Sequence, residues 1–95
     1  MSLKWDPKDP DETLDYTIDW SDRMAAGDTI STCVWTVPAG LTKTTQSISN
    51  AEPVWRTTAW LSGGTIGTTY EVLAHITTAA GRIMDQTVKL KIKAK

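Results

Sequence analysis

Apolar and polar side chains alternate over short segments of this chain. The clearest case runs from residue 14 to residue 20, where one set of positions is apolar and the positions between them carry Asp or Thr; the apolar set is Leu14, Tyr16, Ile18 and Trp20. A period of two is typical of a strand that has one face on a core and the other in water. The pattern therefore predicts a strand here.

Three more segments carry strand composition, rich in Thr, Val, Ile and Trp. In "DTISTCVWTV" the alternation fits either face, and we take Cys33, Trp35 and Val37 as the buried set because that face buries more. "LTKTTQSIS" is polar and predicts an edge strand. "VWRTTAWLS" predicts a strand with Trp60 outward and with Thr57, Ala59 and Leu61 inward.

The segment from Gly63 to Lys93 predicts a hairpin. "AAG" between Thr78 and Arg82 suits a three-residue loop with glycine in the left-handed position. If Thr78 faces Arg82, the two strands pair so that every apolar partner falls on one face and every charged partner on the other; the expected pairs are Tyr70 with Leu90, Val72 with Val88, Ile76 with Met84, Glu71 with Lys89, and His75 with Asp85. A slip of one residue would break both faces.

Six to seven short strands separated by turns predict an all-β fold, an antiparallel immunoglobulin-like β-sandwich, with a small β-barrel as the alternative. Residues 1–12 show neither strand nor helix periodicity and are expected to form an extended acidic arm, and residues 13–95 a single sandwich domain. Tyr70 follows a glycine-rich corner, where it is either a tyrosine corner or an ordinary core residue.

Composition narrows the function classes. The 95 residues suit one domain. Cys33 is the single cysteine, so neither a disulfide framework nor a cysteine metal site is expected, and its apolar surroundings predict a small core side chain. The N-terminal sequence lacks the apolar region of a signal peptide, and no apolar run is long enough to span a membrane.

Charge is unevenly distributed along the chain. Residues 1–28 hold eight acidic and three basic side chains, and the remainder holds three acidic and seven basic ones, so the two parts carry net charges of −5 and +4. A nucleic-acid binder usually has a larger basic excess. We expect the acidic start and the lysine-rich end to attract each other, with pairing inside one chain preferred to pairing between chains.

No catalytic constellation is evident. His75 is the only histidine, and its predicted neighbour Asp85 makes a surface pair the simplest interpretation. The glycine-rich "GGTIG" lacks the lysine of a phosphate-binding loop, and the aspartates from Asp9 to Asp22 match no calcium-loop spacing. We therefore predict no enzyme activity, no cofactor, and no catalytic or metal-binding residues.

Three segments together carry a resemblance: "DPDETLDYTIDW", "AAGDTISTCVWTVPAGLT" and "WLSGGTIGTTYEVLAHITTAAGR". In their order and spacing, over most of residues 7–85, the sequence resembles a family of short bacteriophage and prophage proteins encoded among genes for virion parts. The resemblance implies an immunoglobulin-like fold and a non-enzymatic structural or accessory role, such as a head decoration, a neck or a tail component. It supplies no functional residues.

The resulting hypothesis is a virion protein that acts through protein–protein contacts with other virion proteins, with itself as a further candidate partner. It is expected in the virion, or in the bacterial cytoplasm before assembly, and neither nucleic acid nor membrane is an expected partner. Candidate contact residues are Trp5, Trp60, Lys89, Lys91 and Lys93. The alternative is a carbohydrate-binding or adhesin module in which Trp5, Trp55 or Trp60 stacks on a sugar; it requires two or three exposed coplanar tryptophans.

Overall fold

A computed structural model describes residues 3–51 and 54–95. In chain order its strands are β1 (Leu3–Lys4), β2 (Leu14–Asp19), β3 (Ile30–Thr36), β4 (Leu41–Ala51), β5 (Val54–Gly63), β6 (Thr69–Thr78) and β7 (Ile83–Lys91). A single 3-10 turn, Ser21–Arg23, follows β2. The predicted all-β class is confirmed.

The strands form two sheets, in the orders β1-β7-β6-β3 and β2-β5-β4. All pairs are antiparallel except β1 with β7, which is parallel. This arrangement corresponds to that of immunoglobulin domains, with β2, β5 and β4 in one sheet and β3, β6 and β7 in the other. The strand pairings of the described residues keep the two sheets separate, so the sandwich prediction is confirmed and the barrel alternative is wrong.

The core lies between the two inner faces. Its largest fully buried apolar side chains come from both sheets and from the segments that adjoin them: Trp20, Leu61, Val72, Ile76, Val88, Leu90 and Ile92. Trp20 donates its indole N–H to the hydroxyl of buried Thr57 at 2.9 Å, which satisfies both polar groups. Cys33 is buried as well, and burial raises the pKa of its thiol, so it is the core residue that the sequence predicted.

The hairpin of β6 and β7 has the predicted register at every predicted pair, including Tyr70 with Leu90 and His75 with Asp85. Thr78 closes the loop by donating its backbone N–H to the carbonyl of Arg82 at 2.8 Å. Gly81 has a φ of +92°, the left-handed conformation expected at the end of this loop.

The ambiguity in β3 has a structural cause. Its register shifts between Ile30 and Thr32, a bulge that leaves both Ser31 and Thr32 exposed and so interrupts the alternation of faces. Ile30 is therefore buried together with Cys33 and Trp35 although their numbers differ in parity. Val37, which the sequence placed in the buried set, is partly buried against the core.

Residues 3–8 run beside β7. Trp5 donates its backbone N–H to Lys89, Lys8 donates to Lys91, and Lys93 donates back to Lys8, with N–O distances of 2.8–2.9 Å. The lysine side chains of β7 are exposed, as the predicted hairpin pairing places them, and the N-terminal segment occupies the hydrogen-bonding edge of this strand. The domain boundary at residue 12 stays a prediction.

Candidate functional site

Trp5 closes one open side of the sandwich. From its place beside β7 its ring reaches across to β2, where its centroid lies 4.8 Å from that of Tyr16, and it lies 6.4 Å from that of Trp35. Its indole N–H donates to the carbonyl of Thr17 at 3.2 Å. Trp5 is half-buried, so part of its side chain is accessible while its ring packs on Tyr16 of the other sheet.

Three of the five candidate residues meet at one pocket. It has a volume of about 310 Å³ and brings Trp5, Lys89 and Lys91 together with one further lysine, Lys4; the remaining lining residues are Asp6, Pro7 and Thr69. We call it the basic pocket. Lys93 is exposed but does not line it, so the lysines that the sequence grouped together are divided by the structure.

A second groove, of about 410 Å³, also includes Trp5 and is more acidic; its lining is Trp5, Asp6, Pro7, Leu14, Asp15, Tyr16, Thr17 and Lys95. Burial, together with nearby Glu12, Asp6 and Asp15, raises the pKa of Tyr16 to about 12. The Tyr16 hydroxyl has no hydrogen-bond partner among the described residues.

Trp60 occupies a different part of the molecule. It lies on the outer face of the β2-β5-β4 sheet, with Asp15 and Thr45 as its neighbours across the two adjoining strands, and 40% of its surface is exposed. The rest of this face is rich in hydroxyl groups, and Thr17 and Thr58 share a hydrogen bond of 2.9 Å. Trp60 is thus a single aromatic side chain on a polar face, pointing outward as predicted.

The remaining tryptophans are core residues. Trp20, Trp35 and Trp55 are buried, so Trp55 is wrong as a candidate sugar platform. Trp60 is the one exposed tryptophan among the described residues, and the half-buried Trp5 packs elsewhere, on Tyr16. The set of exposed coplanar rings that the carbohydrate hypothesis requires does not occur in the described part of the chain.

The acidic start and the basic end meet within the chain. Lys95 lies 3.4 Å from the carboxylate of Glu12, and its backbone N–H donates to Asp9 at 2.9 Å. The pKa values of both acids are lowered: that of Asp9 first by the backbone N–H of Asp11 and then by that of Lys95, and that of Glu12 first by the backbone N–H of Asp9 and then by the charge of Lys95. The preferred intrachain pairing of the two charged segments is confirmed at this point.

His75 and Asp85 form a surface pair, with 2.5 Å between Nδ1 and the carboxylate oxygen. Val34 is the neighbour of His75 on β3. Among residues 3–51 and 54–95 no cluster of His, Cys, Asp and Glu side chains is arranged to hold a metal ion. No helix in the same ranges is long and apolar enough to cross a membrane.

Sequence reasoning did not select the exposed apolar side chains on the outer face of β3 and β7, although it had the signal. Val34 is 58% exposed and Ile83 is 64% exposed. Val34 lies between the buried positions Cys33 and Trp35, and Ile83 precedes the inward Met84, so alternation alone places both outward. Lys4 of the basic pocket was also missed, because no period exists in residues 1–12.

The fold and these surfaces define an immunoglobulin-like sandwich with candidate contact surfaces. Residues 8–91 match the family described as podophage GP4 fiber-tail adaptor protein gp77, and the chain belongs to this family. It is accordingly a structural phage virion protein, which confirms the resemblance found in the sequence. A comparison with curated proteins gives no match.

Proposed function

We propose that this protein is a tail component that joins a fiber to the tail of a phage particle by protein–protein contacts. The family description names an adaptor of this kind. The observation that carries the proposal is the separation of two candidate contact surfaces: the basic pocket at the edge of one sheet, and Trp60 on the outer face of the other. An adaptor must bind two partners at once, and two surfaces held apart by a packed core allow this.

The basic pocket suits an acidic segment of a partner. Lys89 and Lys91 are exposed on β7, Lys4 approaches from β1, and Trp5 supplies an aromatic wall. Charged groups of one sign speed encounter with a partner of the opposite sign and select against the wrong partner. Lys93, two residues after Lys91 along the chain, extends the same charge.

The Trp60 surface suits a second, less charged partner. Tryptophan is enriched among residues that dominate binding energy, particularly where less important contacts around it exclude water. Thr45 beside Trp60 and the Thr17–Thr58 hydroxyl pair next to it provide such a rim.

The proposal is tested in particles. Phage in which this gene is complemented by W60A, by K89E/K91E or by the native gene would be purified, and the copies of this chain measured by mass spectrometry and the attached fibers by electron microscopy. We expect one variant to be incorporated but to lack fibers, and the other to be lost from particles together with the fibers. The matched controls are I66A, which truncates another exposed apolar side chain, and R82E, which reverses an exposed charge.

Fibers retained in normal number on particles that lack this chain would overturn the adaptor role. The copy number distinguishes the other virion roles, because many copies indicate a decoration or tube component and few copies a neck or tip part. Self-association remains a prediction. For the sugar-binding alternative, Trp60 is the one exposed tryptophan that the described part of the chain leaves as a candidate for stacking on a sugar.

A further inference from the structure

The free edge of β4 is the least protected strand edge of the described molecule. β4 pairs only with β5, and at eleven residues it is the longest strand. Natural sheets usually protect their edges with lysine, proline, bulges or short strands. Lys43 and a bulge between Lys43 and Thr45 protect the start of β4, but the sequence from Thr45 to Ala51 is uncharged and contains no proline.

The other edges are shorter, and side chains from elsewhere in the chain bind some of their outward backbone groups. At β3, the side chain of Asn50 binds both the N–H and the carbonyl of Ile30 at 2.9 Å, and Gln46 donates to the carbonyl of Cys33 at 2.9 Å. At β2, Trp5 binds the carbonyl of Thr17. β1, the remaining edge, has two residues.

The register shows which β4 groups face outward. The backbone N–H of Trp20 donates to the carbonyl of Trp55 at 2.7 Å, so the backbone groups of Trp55 point toward the β2 side of β5. Antiparallel strands alternate the direction of these groups, so Arg56 and Thr58 point toward β4, where they face Ser49 and Ser47. The N–H and carbonyl groups of Gln46, Ile48 and Asn50 are consequently directed to the free edge.

We propose that β4 pairs antiparallel with β4 of a second copy of this chain, with Ile48 opposite Ile48 on a two-fold axis. Gln46 then pairs with Asn50 of the other copy, and all the outward groups of these three residues gain partners. Ser47 faces Ser49 of the other copy on the outer face, a hydroxyl pair of the kind that stabilises cross-strand contacts.

The sequence of the edge favours a second copy as the occupant. Residues 45–51 are uncharged, so the two-fold arrangement brings no like charges together, and the net charge of −1 opposes association only weakly. A two-fold contact requires a surface complementary to itself, and this register gives one. The inference does not rest on the adaptor role: a chain that stays monomeric could still join a fiber to a tail.

Proline at position 48 tests the edge with little effect on the fold. The N–H of Ile48 lies outside the β4–β5 ladder, and proline is tolerated on an edge where the N–H faces solvent. I48A is the matched control, because it also truncates the partly buried Ile48 side chain but keeps the N–H. Sedimentation velocity over a range of protein concentrations should show a monomer–dimer equilibrium whose Kd rises by at least about tenfold in I48P relative to I48A, since the central pair loses both hydrogen bonds.

A charge exchange tests the register itself. S47K/S49K and S47E/S49E alter exposed side chains, and in the proposed dimer each would place like charges opposite each other. Each variant alone should be monomeric, and an equimolar mixture should dimerise at least as tightly as the native chain. This variant pair keeps the proposal testable if I48P fails to fold.

Three results would overturn the proposal: a native chain that stays monomeric at every concentration, a dimer unaffected by I48P, and a mixture of charge variants that remains monomeric. Hydrogen exchange gives an independent reading. Hydrogen exchange at the backbone amides of Gln46, Ile48 and Asn50 should become slower as the protein concentration rises. Protection that occurs only in assembled particles would assign the edge to a different protein instead.

Discussion

The hydroxyl of Tyr70 accepts a hydrogen bond from the backbone N–H of Thr65 at 3.0 Å. The contact runs from the start of β6 back to the loop before it, as a tyrosine corner does, so Tyr70 is the corner residue rather than an ordinary core tyrosine. The same hydroxyl is close to the backbone of the turn before β4, since a Cβ added at Gly40 would lie 2.9 Å from it.

Y70F should destabilise the protein, because the N–H of Thr65 loses its acceptor. Loss of one hydrogen bond of this kind corresponds to a fall of about 4–8 °C in Tm for a domain of this size. Y16F is the control: the Tyr16 hydroxyl is buried without a partner, so its removal should leave Tm unchanged or raise it. Equal losses in the two variants, measured by thermal unfolding, would contradict the corner.

The free energy of unfolding should decrease at alkaline pH because the Tyr16 hydroxyl ionises less readily in the folded chain than in the unfolded one. Its pKa is raised by burial to about 12 in the folded chain, against about 10 when unfolded. Above pH 10 the unfolded chain therefore loses this proton first, and the free energy of unfolding decreases until pH 12. Urea unfolding between pH 9 and pH 11.5 should show a smaller decrease in Y16F, and parallel curves for the two proteins would show that Tyr16 is not responsible.

Asp28 should support the protein against acid. Its carboxylate accepts the backbone N–H of Ala80 at 3.0 Å and of Thr29 at 2.9 Å, which joins the segment before β3 to the β6–β7 hairpin. The nearby Thr78 hydroxyl, and after it the backbone N–H groups of Ala80 and Thr29, lower the pKa of this carboxyl. The stabilisation is therefore present above the unfolded pKa of about 3.9 and is lost as pH falls through the lower folded pKa.

D28N removes this titrating group. At pH 7 the variant should be less stable than the native chain, since hydrogen bonds to a charged acceptor are the stronger ones. Between pH 5 and pH 2 its unfolding free energy should fall less steeply. A native-like slope in chemical denaturation over that range would rule out the assigned role of Asp28.

Lys8 should be required for the attachment of the N-terminal segment. It is fully buried, and its ammonium group donates to the carbonyls of Asp9 at 2.8 Å and Gly63 at 2.7 Å. K8M should lower the free energy of unfolding by about 1.5–3 kcal/mol, the usual contribution of a hydrogen bond to a charged group. Amide exchange at Trp5 and Lys93 should also accelerate, because the backbone beside β7 loosens.

The matched control is K4M, because Lys4 is exposed on the same segment. K4M should be close to the native chain in stability and in amide exchange. Slow exchange at Trp5 in K8M would mean that the backbone pairing with β7 holds the segment without the buried lysine.

Much of the fold could be predicted from local pattern. The hairpin register followed from a single loop assignment, because the period of two and the chemistry of "AAG" allow only one pairing that keeps Val72 with Val88 and Glu71 with Lys89. The outward direction of Trp60 followed from the same alternation. The candidate lysines were placed correctly on the outer face, but their division between the basic pocket and its surroundings was not predictable.

The sequence by itself determined which face of β2, β5, β6 and β7 is buried, since alternation of side chains specifies faces without reference to neighbours. Tertiary structure alone decided which edges meet. Residues 3–8 lie beside β7 because their backbone groups and the buried Lys8 side chain form hydrogen bonds with residues far along the chain. Ile30 turns inward through a bulge that leaves no periodic signal, and the free edge of β4 is apparent only once the side chains of Gln46 and Asn50 are seen to cap β3 instead. Backbone groups are chemically alike at every position, so which distant segments pair leaves no period in the sequence.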